Sequence, residues 1–343
     1  MHSDEDTPFG EATREIVDDD YIYYCREGCA GSQQWAAVYS GNQPAELYGL
    51  KQQLNAGLSA GLCGFAVWSG DMAGYEGKPN VETYIRGVEF SAFQPLMRSH
   101  GTKTRCPWDF GKEAETVYLK YYWLRENLIE MLYSAAISSN HRGLPMMKAM
   151  ALAFPEEKDY LNNGEQYLFC DTILVAPVLE EKAQTKKVCF PKGTWYELWS
   201  GNEVLGSCER EVPVSLEDCP AYLKSGIVLP VIMNEKMKWA VPFSEQNQTK
   251  VIVITPPNMD DEYRYYAEED DKYVFKCVKE DERVFTIYSL KDIFINKLLI
   301  YGNVHEIEVD GKKEEFSIVY ENQTMTALRL KSDRWNKLTI TCK

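Results

Sequence analysis

Between Gly64 and Gly111 two apolar runs each end in a polar cluster, and this repetition constrains the fold more than any other feature of the chain. The first run leads into Trp68-Ser69-Gly70-Asp71 and the second into Arg98-Ser99-His100-Gly101. Glycines let the backbone turn sharply past the acid. Two strand-like segments thus deliver polar groups at their C-terminal ends, which is where a (β/α) barrel builds its active site. An indole beside an aspartate and a histidine suits a sugar ring, whose C–H face packs on the aromatic while the acid and imidazole take up hydroxyls. Alone, either polar residue reads as a capping aspartate or a satisfied core histidine; together they read as a site.

A chain of 343 residues exceeds the usual size of one domain, so two or three domains are expected. A hydrophobic content of 45% with 13% aromatics excludes a disordered chain. The net charge of −15 argues against nucleic acid and against an anionic membrane surface, since both need a basic face. The acidic N-terminal stretch has no apolar core, and no run elsewhere is long enough to span a bilayer, which makes the cytoplasm the expected location. Ten cysteines are scattered singly with no CxxC pair, so they read as small buried thiols and not as a structural zinc site. Glycine-rich phosphate loops are absent, and of four histidines only His100 lies in the motif region, so no metal, nucleotide or flavin cofactor is implied.

From Tyr21 to about Leu152, strand-like runs such as WAAVYS and LCGFAVW alternate with helical ones, PAELYGLKQQLNAGLSAG, VETYIRGVEFSAFQPLM and ETVYLKYYWLRENLIEMLYSAAISSN. That alternation implies parallel βα units. The last helix stops at His141-Arg142-Gly143, and Leu144 to Phe154 reads as a further apolar strand. After Pro155 helical periodicity fades into short strands set off by Pro, Gly and Asp. The expected fold class is α/β, a partial (β/α)8 barrel, followed by antiparallel all-β domains, with segments 1–155, 156–240 and 241–343. Asp310-Gly311 marks a hairpin in the last segment.

The ordered series AGSQQWAAVYSGN, GLSAGLCGFAVWSGDMAGY, FQPLMRSHG, PWDFG, GLPMMKAMALAFP, QYLFCDTILVAPVLE, FPKGTWYELWSG and PAYLKSGIVLPV resembles the C-terminal portion of glycoside hydrolase family 31, the α-glucosidase and α-xylosidase group. The resemblance runs over roughly Arg26 to Val231. It implies that Asp71 and His100 bind hydroxyls of the sugar in the cleaved-bond subsite, with Trp68 as an apolar wall. It places Arg26 at a strand end, as a substrate contact or as a salt bridge holding barrel loops, and Phe110 at an outer subsite. Family members carry a β-sandwich and a complete barrel ahead of their β-domains. The resemblance therefore implies a fragment of a longer product, or a partner, either the missing barrel half or another copy.

Two departures stand out. The family retains anomeric configuration with a nucleophilic carboxylate and a general acid/base. Its acid lies in a Trp-Ser-Gly-Asp-type stretch, which reads Tyr39-Ser40-Gly41-Asn42 in this chain. An amide does not protonate a leaving group as a carboxylic acid does. An arginine frequent after Gly-Ser-Gln is Gln34. The nucleophile motif Asp-Phe-Gly-Glu reads Pro8-Phe9-Gly10-Glu11, leaving Asp6, with Asp4 as the alternative, as the nearby carboxylate. The expected function is a retaining hydrolase acting on α-linked glucosides or oligosaccharides, impaired at Asn42. The alternative is a non-catalytic sugar-binding or regulatory relative.

Overall fold

The computed structural model describes residues 23–26, 31–34 and 36–343. Strands β1 (Tyr24–Cys25), β2 (Ala37–Tyr39) and β3 (Trp68–Ser69) form a parallel sheet in that order, with Tyr24 opposite Ala37 and Val38 opposite Trp68. A further parallel bridge, Asp71 to Arg98, extends the arc beyond β3. Helices α1 (Leu47–Leu62) and α2 (Val81–Ala92) make the crossovers. Helix α1 buries Leu47, Leu50, Leu54 and Leu58, a three-and-four spacing that keeps them on one face. Helix α2 starts where the Asn80 side chain accepts the Thr83 N–H at 2.7 Å.

The long helical run that follows is two helices, α3 (Lys112–Asn127) and α4 (Ile129–Arg142), separated by Leu128 at φ −90°, ψ 4°. Continuous apolar periodicity does not register that single non-helical residue. Helix α4 ends at the expected Gly143, which has φ +65° and returns its N–H to Ser139 at 2.8 Å.

The β layers begin earlier than the change in sequence texture. Strand β4 (Met147–Ala149) is antiparallel to β5 (Tyr167–Phe169), which pairs with β6 (Ile173–Val175). Between β4 and β5 lies the short helix α5 (Met150–Ala153). The apolar segment after Gly143 thus joins the antiparallel sheet and not the parallel one, because the β5 edge supplies its hydrogen-bond partners. The chain continues through β7 (Thr185–Phe190), β8 (Thr194–Glu197), β9 (Glu203–Leu205), β10 (Cys208–Pro213) and β11 (Ala221–Lys224). The sheet order is β4-β5-β6-β11-β8-β9, with β7 and β10 as a separate pair.

The distal part is a sandwich. One sheet has the order β12-β13-β17-β21-β20 and the other β14-β15-β16-β22-β18-β19. In chain order these strands are β12 (Val228–Asn234), β13 (Gln248–Ile254), β14 (Asp261–Glu268), β15 (Asp271–Lys279), β16 (Val284–Ile293), β17 (Lys297–Ile300), β18 (Val304–Val309), β19 (Lys312–Lys313), β20 (Phe316–Glu321), β21 (Thr326–Leu330) and β22 (Trp335–Cys342). Its first strand therefore precedes residue 240, and β13 with β17 is a parallel pair in an otherwise antiparallel architecture. Ile254, Phe275, Ile287, Ile307, Trp335 and Leu338 fill the space between the sheets. The hairpin at Asp310-Gly311 forms with φ +52° and +79°, the left-handed pair that a two-residue type I′ turn requires.

Helices α2 to α4 fasten the parallel part to the β layers. Arg86 of α2 donates to Asp218 O at 3.0 Å and Ser215 O at 2.9 Å while pairing with buried Glu89 at 2.9 Å. Asn127 donates to Ile232 O and accepts from Ala240 N, at 2.8 and 2.9 Å. Among the described residues no helix is long and apolar enough to cross a membrane.

Candidate active site

The parallel strands end side by side, and the loops beyond them are locked together. Past β2 the chain turns at Gly41, φ +83°, into Asn42 and Gln43. Gln43 O accepts the N–H groups of Tyr75 and Glu76 at 2.8 and 3.0 Å, and Ala45 N donates to Glu76 O at 2.8 Å. The loop carrying Asn42 is thereby tied to the loop that follows Asp71. The approach is close enough to demand glycine at 74: its φ is +79°, and a Cβ there would lie 2.4 Å from Pro44 O.

Asp71 is fully buried at the C-terminal end of β3. Arg98, one strand position along the arc, donates Nε to its Oδ1 at 2.8 Å, and the Arg98 Nη2 contacts the same oxygen. Oδ2 is buried with no hydrogen-bond partner among the described residues. Burial pushes the Asp71 carboxyl above its ordinary range, against the pull of Arg98, His100 and Arg105. The Arg98 guanidinium lies 4.9 Å from the Tyr24 ring and 4.7 Å from the Tyr39 ring, whose own centroids are 5.4 Å apart. Tyr24 is hydrogen-bonded through its hydroxyl to Ser69 Oγ, and burial raises that phenol to about 12. Below the loop, buried Arg105 donates to the carbonyls of Met72, Gly74, Tyr75 and Gly77, fixing the backbone after Asp71.

The sequence-derived residues fall into three groups. Asp71, His100, Asn42 and Arg26 gather at the strand ends: exposed His100 packs its ring 5.2 Å from that of Tyr75, and Arg26 Nε lies 3.9 Å from where a Cβ on Gly41 would sit. Asn42 is half-buried and makes no hydrogen bond with the described residues. Trp68 and Phe110 go elsewhere. Trp68 faces helix α1, with the benzo edge of its ring 2.7 Å from where a Cβ on Gly57 would sit, so the indole fills the strand–helix interface instead of walling a pocket. Phe110 is buried and stacked on Tyr84 at 4.0 Å, so it has no free face for an outer subsite. Asp6, and the alternative Asp4, lie outside the described residues.

Sequence reading missed Arg98, Tyr24, Tyr39 and Arg105. Arg98 stood in the Arg-Ser-His-Gly cluster, where its position at a strand end was the available signal.

Comparison with known proteins places this geometry. The model for the family 31 glycosyl hydrolase TIM-barrel domain matches residues 5–135, and that for the family 31 C-terminal domain matches 143–229. The chain belongs to glycoside hydrolase family 31. Among its family 31 relatives, an isomaltosyltransferase of Sporosarcina globispora is 32% identical over 229 residues, 63% of this chain and 21% of that protein. An alpha-xylosidase of Saccharolobus solfataricus is 32% identical over 230 residues, 65% of this chain and 32% of that protein. The cycloalternan-forming enzyme from Listeria monocytogenes, solved with a pentasaccharide substrate, superposes with a TM-score of 0.85 at 22% identity, over 95% of this chain and 34% of that one. A Flavobacterium johnsoniae family 31 dextranase gives 0.79 at 22% identity, over 97% and 47%. This chain spans about a fifth to a third of the length of the first two relatives. Its parallel units are thus part of a family 31 barrel, followed by the family's C-terminal β layers.

Proposed function

We propose that the chain supplies the C-terminal part of the catalytic barrel and the β-domains of a protein that acts on α-linked glucosides, and that its hydrolytic chemistry is impaired at Asn42. The observation that carries this reading is Asp71: a buried carboxylate oriented through one oxygen by Arg98, with the other unused, beside His100 and next to the Asn42 loop. Arg98 opposes the upward push of burial on this carboxyl, and Oδ2 is the acceptor for a sugar hydroxyl once the side chains covering it move aside. His100 stands at the rim, where an imidazole both donates and accepts. Arg26, near Gly41, is assigned in this proposal to a substrate contact or to a salt bridge that holds the barrel loops.

Retaining hydrolysis needs a second carboxylate as nucleophile, assigned in this proposal to Asp6, with Asp4 as the alternative. At Asn42 the amide offers no acidic proton, which costs about 10²- to 10⁴-fold where the leaving group needs protonation. The pocket survives such a loss. A second reading, sugar binding without turnover, is favoured by Asn42 together with Pro8 in the nucleophile motif.

Calorimetric titration with maltose tests the pocket. Loss of one class of maltose sites in Asp71→Asn supports it; binding unchanged in every class in Asp71→Asn and His100→Ala removes it. The same proposal assigns the remaining barrel strands to a longer polypeptide or to a second copy. Chromatography with light scattering tests that part: association of this chain alone is expected, and a well-behaved cooperative monomer contradicts it.

A further inference from the structure

A cleft of about 360 Å³ opens between the proximal β layer and the distal sandwich. That volume falls within the range of about 300 to 1,000 Å³ usual for small-ligand sites. Thr194 and Tyr196 of β8, Glu203 of β9, Lys279 of β15 and the turn Asp281 to Arg283 line the cleft. Asn258, Asn303 and Gln323 belong to the same lining, with Pro256, Pro257 and the buried ring of Phe285. None of these residues belongs to the strand ends that carry Asp71.

The charges in this cleft are balanced and largely unspent. Three cations, Lys279, Arg283 and Lys343, face three carboxylates, Glu203, Asp281 and Glu282. Lys343 is paired with Glu321, and Asp281 accepts the N–H groups of Arg283 and Val284 in its own turn. The side chains of Lys279, Arg283, Glu203 and Glu282 have no ion-pair or hydrogen-bond partner among the described residues, although they line one cleft with opposite signs. Asn258 Oδ1 accepts from Ser225 Oγ at 2.9 Å, and its amide N–H groups have no partner among the described residues; Asn303 donates to Gln323 O at 2.8 Å.

Equal numbers of both signs give the cleft no net charge with which to select an ion of one sign. Lining donors and acceptors that are unpaired among the described residues match a neutral ligand whose neighbouring hydroxyls each donate and accept. We propose that this cleft is an accessory carbohydrate site taking one or two hexose units, with Glu203 and Glu282 accepting from hydroxyls and Lys279, Arg283 and Asn258 donating to them. The site is independent of the barrel pocket and does not require turnover.

Calorimetric titration of the full chain with maltotriose, run in parallel with Glu203→Ala, Arg283→Ala and Asp71→Asn, tests it. Glu203 and Arg283 are exposed and make no side-chain contact that folding uses, so the variants remain folded. Each of the two cleft substitutions is expected to weaken one class of maltotriose sites about tenfold, the effect of losing a hydrogen bond to a charged group, while Asp71→Asn leaves that class intact. Absence of maltotriose binding, or binding abolished by Asp71→Asn and indifferent to both cleft substitutions, overturns the proposal. Heat on titration with inorganic phosphate or glycine that is lost in Arg283→Ala, without a maltotriose signal, overturns the sugar assignment by showing an ionic ligand.

Discussion

Arg98 holds Asp71 through Oδ1, at 2.8 Å from Nε, and Oδ2 is enclosed without a partner among the described residues. The pair is asymmetric in burial, since Arg98 is 30% exposed at its side chain and Asp71 is not exposed at all. Removing the guanidinium therefore leaves a buried carboxyl without its partner, whereas removing the acid leaves a cation that reaches water.

Arg98→Met should destabilise the fold by about 3 to 5 kcal/mol, the usual cost of breaking a buried pair from one side. The double variant Asp71→Asn with Arg98→Met should recover part of that loss. Urea unfolding of the three proteins checks it; equal stability of Arg98→Met and the parent contradicts a stabilising Asp71–Arg98 pair.

Glu89 offers a pH signature in the seam between α2 and the β layers. Burial raises its carboxyl to about 8 from an ordinary 4.5, against the opposing pull of Arg86 and Lys120. A folded-state acid with a raised pKa binds its proton more tightly than the unfolded chain does. Its contribution is fully present below about 4.5 and declines as pH rises towards about 8. Glu89→Gln, which keeps the shape and loses the titration, should therefore lose less stability between pH 5 and pH 8.5 than the parent. Unfolding midpoints at those two pH values decide it, and parallel pH slopes contradict it.

Trp68 separates a packing role from a binding role. If the indole serves only the contact with α1, Trp68→Ala costs about 3 to 5 kcal/mol in stability, while the folded fraction keeps its affinity for maltose. Gly57→Val, which drives a side chain into the same ring, should cost about 1 to 3 kcal/mol. A maltose affinity that falls in Trp68→Leu with stability preserved would return the indole to the pocket.

What the sequence made legible was local or strongly patterned. Gly143 and Asp310-Gly311 declared their turns because left-handed backbone selects such residues, and the alternation of periods declared parallel units ahead of antiparallel ones. Asp71 and His100 were legible because each closes an apolar run. Trp68 was misplaced because alternation along a two-residue strand does not say which face meets a helix, and Gly57, which receives the ring, lies on α1, far from the motif. Phe110 was misplaced for a similar reason, since its partner Tyr84 belongs to α2. The Arg98 contact, the Tyr24–Tyr39 stack and the capture of β4 by the antiparallel sheet depend on which strands become neighbours, and no local period encodes that.

The reading of Asn42 as a degraded acid position is tested most directly by Asn42→Asp, made in this chain and in a form extended upstream through the rest of the barrel. Rates are measured on maltose and on α-glucosyl fluoride, whose fluoride leaves with little acid assistance. The account predicts that the extended parent turns over the fluoride and barely touches maltose, and that the substitution raises the maltose rate by about 10²- to 10⁴-fold with little change on the fluoride. Equal gains on both substrates, or no gain on maltose in a variant that still binds sugar, would contradict it.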